Sequence, residues 1–281
     1  FGNNTVKLIA MLSVLLGYSI KHYVFGMAFS WGNSFVHPEK RASYSSVKEI
    51  ISLVSGLVFT FFSGYVFDRL EEGKNPDNAY LFLAISIFVI NIFQFISFLC
   101  MDEKPESNTQ QCNKTVKDVL SYTFGDSAFK KVVIMNSLYK ISIYFSLGFI
   151  GVYKTNTLAI SMFVIQIINI AANIFRIIFS VPFGKYSDKH SFAKGYELAL
   201  IVLAISYAFG VFANPSMWWF IIAYTLGFQL AMAGTNQNSF NIIYSYVDAN
   251  YITEALCIDQ CISGILGFLA SVLGGVILQI I

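Results

Sequence analysis

The sequence predicts an all-α, polytopic membrane protein, and three observations lead there. Of 281 residues, 56% are hydrophobic, 17% aromatic and only 12% charged, about half the roughly 25% charged residues of a soluble domain. With a mean hydropathy of +0.63, too few ionic groups remain to clothe a water-facing surface, so the solvent that suits this chain is a bilayer. Apolar runs near the roughly 20 residues that a helix needs to cross hydrocarbon recur eight times, with polar punctuation between them. Basic residues also gather in alternate connections, the bias that sets topology in multi-span proteins.

The expected spans lie at 6–31, 47–68, 79–101, 132–153, 158–182, 196–213, 217–243 and 254–281. The first is longer than a signal peptide's apolar core and lacks a basic leader. It carries Ser13, Gly17, Lys21 and His22, and Lys21 falls near its centre, where an unpaired ammonium is least tolerable. The second opens at Glu49 and contains Ser55, Gly56 and Gly64. In the third, Tyr80 to Phe93 is apolar on nearly every face, unlike the alternation of a barrel strand. Residues 102–131, with Pro105, Ser107, Asn108, Gln110 and Gln111, read as a cytoplasmic linker between two bundles, 1–101 and 132–281.

The later spans carry polar stripes. The fourth has Asn136, Lys140 and Tyr144 at i, i+4 and i+8. On the fifth, Gln166, Asn169, Asn173, Arg176 and Ser180 follow at spacings of 3, 4, 3 and 4, which is one helical face. The seventh bears Thr225, Gln229 and Asn236, and the eighth carries Asp259 early and Gly274 and Gly275 late. Polar groups are costly against lipid, so these faces look at protein, through interhelical hydrogen bonds, or at a water-filled path. Deep charges are mostly positive. Glu49 and Asp259 are expected close enough to a membrane face to be hydrated.

One set of connections holds eleven basic residues, including Lys40, Arg41, Lys48, Lys130, Lys131, Lys185, Lys189 and Lys194. The other set holds four, Lys7, Arg69, Lys74 and Lys154. By the positive-inside rule the first set is cytoplasmic and the first helix runs from outside to inside; a multi-pass protein of the plasma (cytoplasmic) membrane is expected.

A weak internal repeat is ordered along the chain. Asn33, Ser34 and Phe35 recur as Asn238, Ser239 and Phe240; Tyr44 recurs as Tyr251, Ser55 and Gly56 as Ser263 and Gly264, and Gly64 as Gly275. The displacement is six helices, as in a duplicated bundle. After the fifth span come Pro182, Phe183, Gly184, Lys185, Tyr186, Ser187, Asp188, Lys189, His190 and Ser191, then Lys194. This run resembles the cytoplasmic loop signature of the major facilitator superfamily, with Ser191 where Gly is usual. Gly64, Asp68 and Arg69 repeat its opening, but three crossings away and therefore on the opposite face, so they read as a helix end.

The resemblance implies a twelve-helix bundle of which these spans correspond to helices four to eleven, so the chain, beginning at Phe1 and still apolar at Ile281, reads as a fragment. It further implies a secondary transporter that moves a small solute by alternating access, as a monomer, with H+ or Na+ as a candidate coupling ion. Lys21, His22, Asn136, Lys140, Gln166, Asn169, Asn173, Arg176, Gln229 and Asn236 are the substrate-pathway candidates, and Gly184, Asp188 and Lys189 the conformational-switch loop. The surplus of deep cations favours an anionic or sugar-like substrate. The alternatives are a non-transporting membrane receptor or structural protein of the same fold, and a drug-efflux facilitator for cations. An enzyme is not expected: His22, His37 and His190 are far apart, the four cysteines lack metal or disulfide spacing, and no Walker loop occurs. No cofactor and no nucleic-acid partner are expected.

Overall fold

The computed structural model describes residues 9, 13, 16–17, 20, 24, 27–33, 35–72, 76–100, 116–248 and 251–280. Lys21 and His22 lie outside the described residues, as do residues 102–115 of the expected linker. Among the described residues every regular element is helical. A short turn of 3-10 helix, Pro38–Lys40, leads into α1, Arg41–Glu72, and α2 is Pro76–Leu99. Then come α3, Val116–Gly125; α4, Ser127–Val152; α5, Met162–His190; and α6, Phe192–Phe212. The chain continues through α7, Phe220–Asn241, the single turn α8, Ile243–Tyr246, and α9, Ile252–Ile280.

Local chemistry explains where the helices start. The Asp126 carboxylate accepts from the backbone N–H groups of Ala128, at 2.7 Å, and Phe129, at 3.1 Å, and so caps α4. Ser161 caps α5 by accepting from Val164 N at 3.4 Å, and Asn214 caps the 3-10 turn Pro215–Met217 before α7. α4 leaves through a π-helical turn, Tyr153–Thr157, after which Ala159 takes a positive φ of 50°.

Two differences from the sequence expectation concern boundaries. Helix already forms over Val116–Gly125 and from Ser127 onward, so the second half of the expected linker is helical. The expected loop from Gly184 is also largely helix: α5 runs through Pro182 to His190 and breaks only at Ser191. Ser191 is extended there and its hydroxyl accepts from Lys194 N at 3.2 Å, capping α6 without any need for glycine.

Among the described residues, four stretches are long and apolar enough to cross a membrane: Ser127–Thr157, Val164–His190, Phe192–Phe212 and Ile252–Ile277. Ala84–Ser97 in α2 is a shorter apolar helical stretch. α7 falls outside that group because Gln229, Thr235, Asn236 and Gln237 interrupt its apolar run. In the most apolar stretch of each of the four spans only 22% to 28% is buried, so most of that apolar surface faces outward. Inside, polar side chains lie among the apolar ones, with Asn136, Gln237, Asn238, Asn241, Asp259 and Gln260 all no more than 5% exposed. That arrangement suits hydrocarbon, where buried polar groups pair with each other and aliphatic ones face lipid.

The chain divides into two units, Phe1–Glu49 with Asn113–Ile281, and Ile50–Cys112. In the first, α6 packs along α7, α9 along α4, and α5 against both α6 and α7. Its main apolar cluster gathers Phe129, Tyr139, Tyr196, Leu203, Ile243 and Leu256. The second unit comprises the rest of α1 and α2, whose Phe62 and Phe82 rings stand 6.4 Å apart. It exposes Val58, Phe61, Phe88, Phe93, Phe95 and Leu99.

Candidate functional site

The polar interior of the first unit is organised around two carboxylates. The first belongs to Glu49, two turns into α1. Its Oε1 accepts from Arg176 Nε at 3.0 Å, from Arg176 Nη2, and from Asn236 Nδ2 at 3.1 Å. Its Oε2 accepts from Ser180 Oγ at 3.3 Å and Gln237 Nε2 at 3.4 Å. The Arg176 Nη1 group donates to Gln229 Oε1 at 3.2 Å, which orients the guanidinium from behind. The ion pair is nearly buried, with the Arg176 and Glu49 side chains 12% and 11% exposed. In such surroundings a charge persists only with a partner and several hydrogen bonds, and both are present.

Asp259 is the second, and it is fully buried. Asn136 Nδ2 donates to both of its oxygens at 3.1 Å and to Ser239 O at 3.0 Å, tying α4, α7 and α9 together. Gln260 Nε2 adds a contact to Oδ2 at 3.2 Å. Lys140, one turn after Asn136, lies within Coulombic reach of Asp259, with its Nζ 5.7 Å from the Tyr139 ring centre. Tyr139 in turn donates to Thr235 Oγ1 at 2.7 Å.

A third set of contacts fastens the first turns of α1. Asp188, in the last turn of α5, accepts from Ala42 N and Ser43 N at 3.0 Å each, and from the Ser43 hydroxyl. Those amides are among the orphan donors of the α1 N-terminus, where a carboxylate also meets the positive end of the helix dipole. One turn earlier, Gly184 meets the same helix. A Cβ there would run into the Ser46 hydroxyl and stand 3.1 Å from the Ala42 carbonyl oxygen. On the neighbouring face, Asn33 donates to Asn241 Oδ1 at 3.2 Å and Asn241 to Ser45 Oγ at 3.1 Å. The Phe29 and Phe240 rings are 4.7 Å apart, so segments flanking the two copies of the sequence repeat meet here. Arg41 lies 4.3 Å over the Tyr244 ring, and burial pushes the Tyr244 phenol above its ordinary range.

Of the expected pathway residues, Arg176, Gln229 and Asn236 come together at Glu49, and Asn136 reaches Asp259, with Lys140 one turn further along α4. Asn169 and Asn173 are half-buried along α5 before Arg176, while Gln166 is exposed. Gly184 and Asp188 act on α1, and Lys189 is exposed beside them. The expectation of hydrated carboxylates is corrected: Asp259 is fully buried and Glu49 nearly so. Sequence reasoning left Glu49 outside the site, although a signal existed. Ala42, Ser45, Ser46 and Glu49 recur at i, i+3, i+4 and i+7, a small and polar face that prepares close helix contact.

Compared with known proteins, the chain matches no family model, no curated protein and no solved structure.

Proposed function

We propose that this chain belongs to a secondary transporter resembling the major facilitator superfamily, moving a small anionic or sugar-like solute across the plasma membrane by alternating access. One observation carries the reading. The motif from Gly184 to Asp188, singled out in the sequence for a conformational switch, reaches the N-terminus of another helix through a charge and a close approach. A cap of this kind is strong when made and wholly lost when the helices part, which suits an element with two discrete arrangements. The polar side chains inside an apolar exterior support the same reading, because a carrier must keep a hydrophilic path away from lipid. In this reading Lys189 and its neighbours are cytoplasmic, H+ or Na+ is the coupling ion, and the unit at work is a monomer.

Thermal unfolding of the full chain in detergent, against sugars, organic anions, amino acids and cationic drugs, identifies a ligand by the rise in midpoint. Uptake of that ligand into sealed proteoliposomes then tests transport. The expected result is saturable uptake that falls in Asp188→Asn and in Lys140→Gln. Stabilisation by cationic drugs would reverse the substrate assignment. Ligand binding without uptake would sink the carrier reading in favour of a receptor of the same fold.

A further inference from the structure

The donors around Glu49 have a property that the ion pair alone does not require. Arg176 and Ser180 come from α5, Asn236 and Gln237 from α7, and these two helices pack along each other. α1 contributes a single carboxylate. The donor set is therefore assembled without α1, with Gln229 holding the guanidinium and Gln237 Nε2 tied to Ser180 O at 3.1 Å. Four side chains converge on one pair of oxygens, the pattern by which proteins recognise a carboxylate. Gln237 is 1% exposed and its Oε1 is buried with no hydrogen-bond partner among the described residues. That spare acceptor suits a ligand that also carries a hydroxyl or ammonium donor beside its carboxylate.

We propose that Arg176, Ser180, Asn236 and Gln237 form a binding site for the carboxylate of a small organic acid, and that Glu49 occupies this site as an internal surrogate when α1 is docked. The inference deepens the transporter reading and rests on it for the movement of α1; the donor set does not. Competition follows directly. With Glu49 in place, an external carboxylate binds only to the fraction of molecules whose site is vacated, and its apparent affinity drops by that fraction.

The test uses the full chain in detergent, with wild type, Glu49→Gln, Glu49→Asp and Arg176→Gln, and with acetate, lactate and glycine as probes against chloride at equal ionic strength. Glu49→Gln keeps the side chain's volume and removes its charge, so binding there reports displacement and not the filling of a hole. The expected result is binding by Glu49→Gln about tenfold or more tighter than by wild type. Binding should be lost in Arg176→Gln, and lactate or glycine should bind more tightly than acetate. Should Glu49→Gln fail to fold, Glu49→Asp, which keeps the charge but draws it back by one methylene, should still bind more tightly than wild type. Equal responses to carboxylate and chloride in both Glu49 variants would overturn the site. Proteoliposome uptake separates the two ideas: carboxylate binding without uptake removes the transporter and keeps the site, and uptake of a solute indifferent to Arg176 removes the site and keeps the transporter.

Discussion

At Glu49 and Arg176 two opposite charges stand about one-tenth exposed, and each is the other's ionic partner. Removing either leaves the other charge uncompensated in a poorly hydrated place, which costs about 3 kcal/mol or more. Arg176→Ala and Glu49→Ala should each lower the unfolding midpoint in detergent clearly, and the double variant should fall by less than the sum of the two. Additive losses would mean that the pair is not coupled. A smaller effect of opposite sign belongs to Ala159, whose φ of 50° lies in the left-handed region that disfavours a Cβ. Ala159→Gly should gain about 1 kcal/mol, seen as a higher midpoint in the same assay. Asn136 and Asp259 illustrate a limit of residue-level reading. Each was visible as a polar residue in an apolar run, but nothing in either run names the other as its partner.

Among the elements, α1 depends on a neighbour, because the amides of Ala42 and Ser43 in its first turn are satisfied by Asp188 of α5 and not by its own sequence. Asp188→Asn should weaken that end by about 1 kcal/mol. Hydrogen exchange should then quicken at the amides of residues 42 to 46 while exchange in α7 stays unchanged; equal acceleration in both would point to general loosening. Gly184→Ala should destabilise by about 1–3 kcal/mol through the clash with Ser46, and adding Ser46→Ala should recover part of the loss. Helix starts were not legible from hydropathy alone: it places the spans from 132 and 158, whereas Asp126 and Ser161 cap helices that begin at Ser127 and Met162. The start of α6 was not legible either, because Ser191 reads as a substituted turn glycine until its extended backbone and its bond to Lys194 are seen.

For the whole molecule, the decisive feature is an apolar exterior around an interior that mixes polar with apolar side chains. Apolar side chains such as Ile201, Ile205, Phe268 and Val272 face outward, while asparagines and an aspartate lie within. α6, with 21 residues, is about 31 Å long at the usual rise, close to the hydrocarbon thickness of about 30 Å. Its two ends should therefore be reached from opposite sides of a sealed vesicle. With Cys100, Cys112, Cys257 and Cys261 replaced by Ser, single cysteines at Lys189 and Ser216 should react with an impermeant thiol reagent from different sides. Labelling of both from one side would remove α6 from the membrane.

Composition and periodicity by themselves determined that the chain is helical, that its exterior is apolar, and that polar residues run in stripes along α4, α5 and α7. These properties repeat every 3.6 residues and need no distant partner. The tertiary structure alone decided that Arg176 meets Glu49, 127 residues away, that Asn136 meets Asp259, 123 residues away, and that Gln166 stays exposed while its stripe-mates turn inward. Hydropathy marks which face of a helix must avoid lipid, but which helix covers that face is set by the packing of all of them together, where small residues such as Gly184 and Ser46 allow close approach and matched charges reward it.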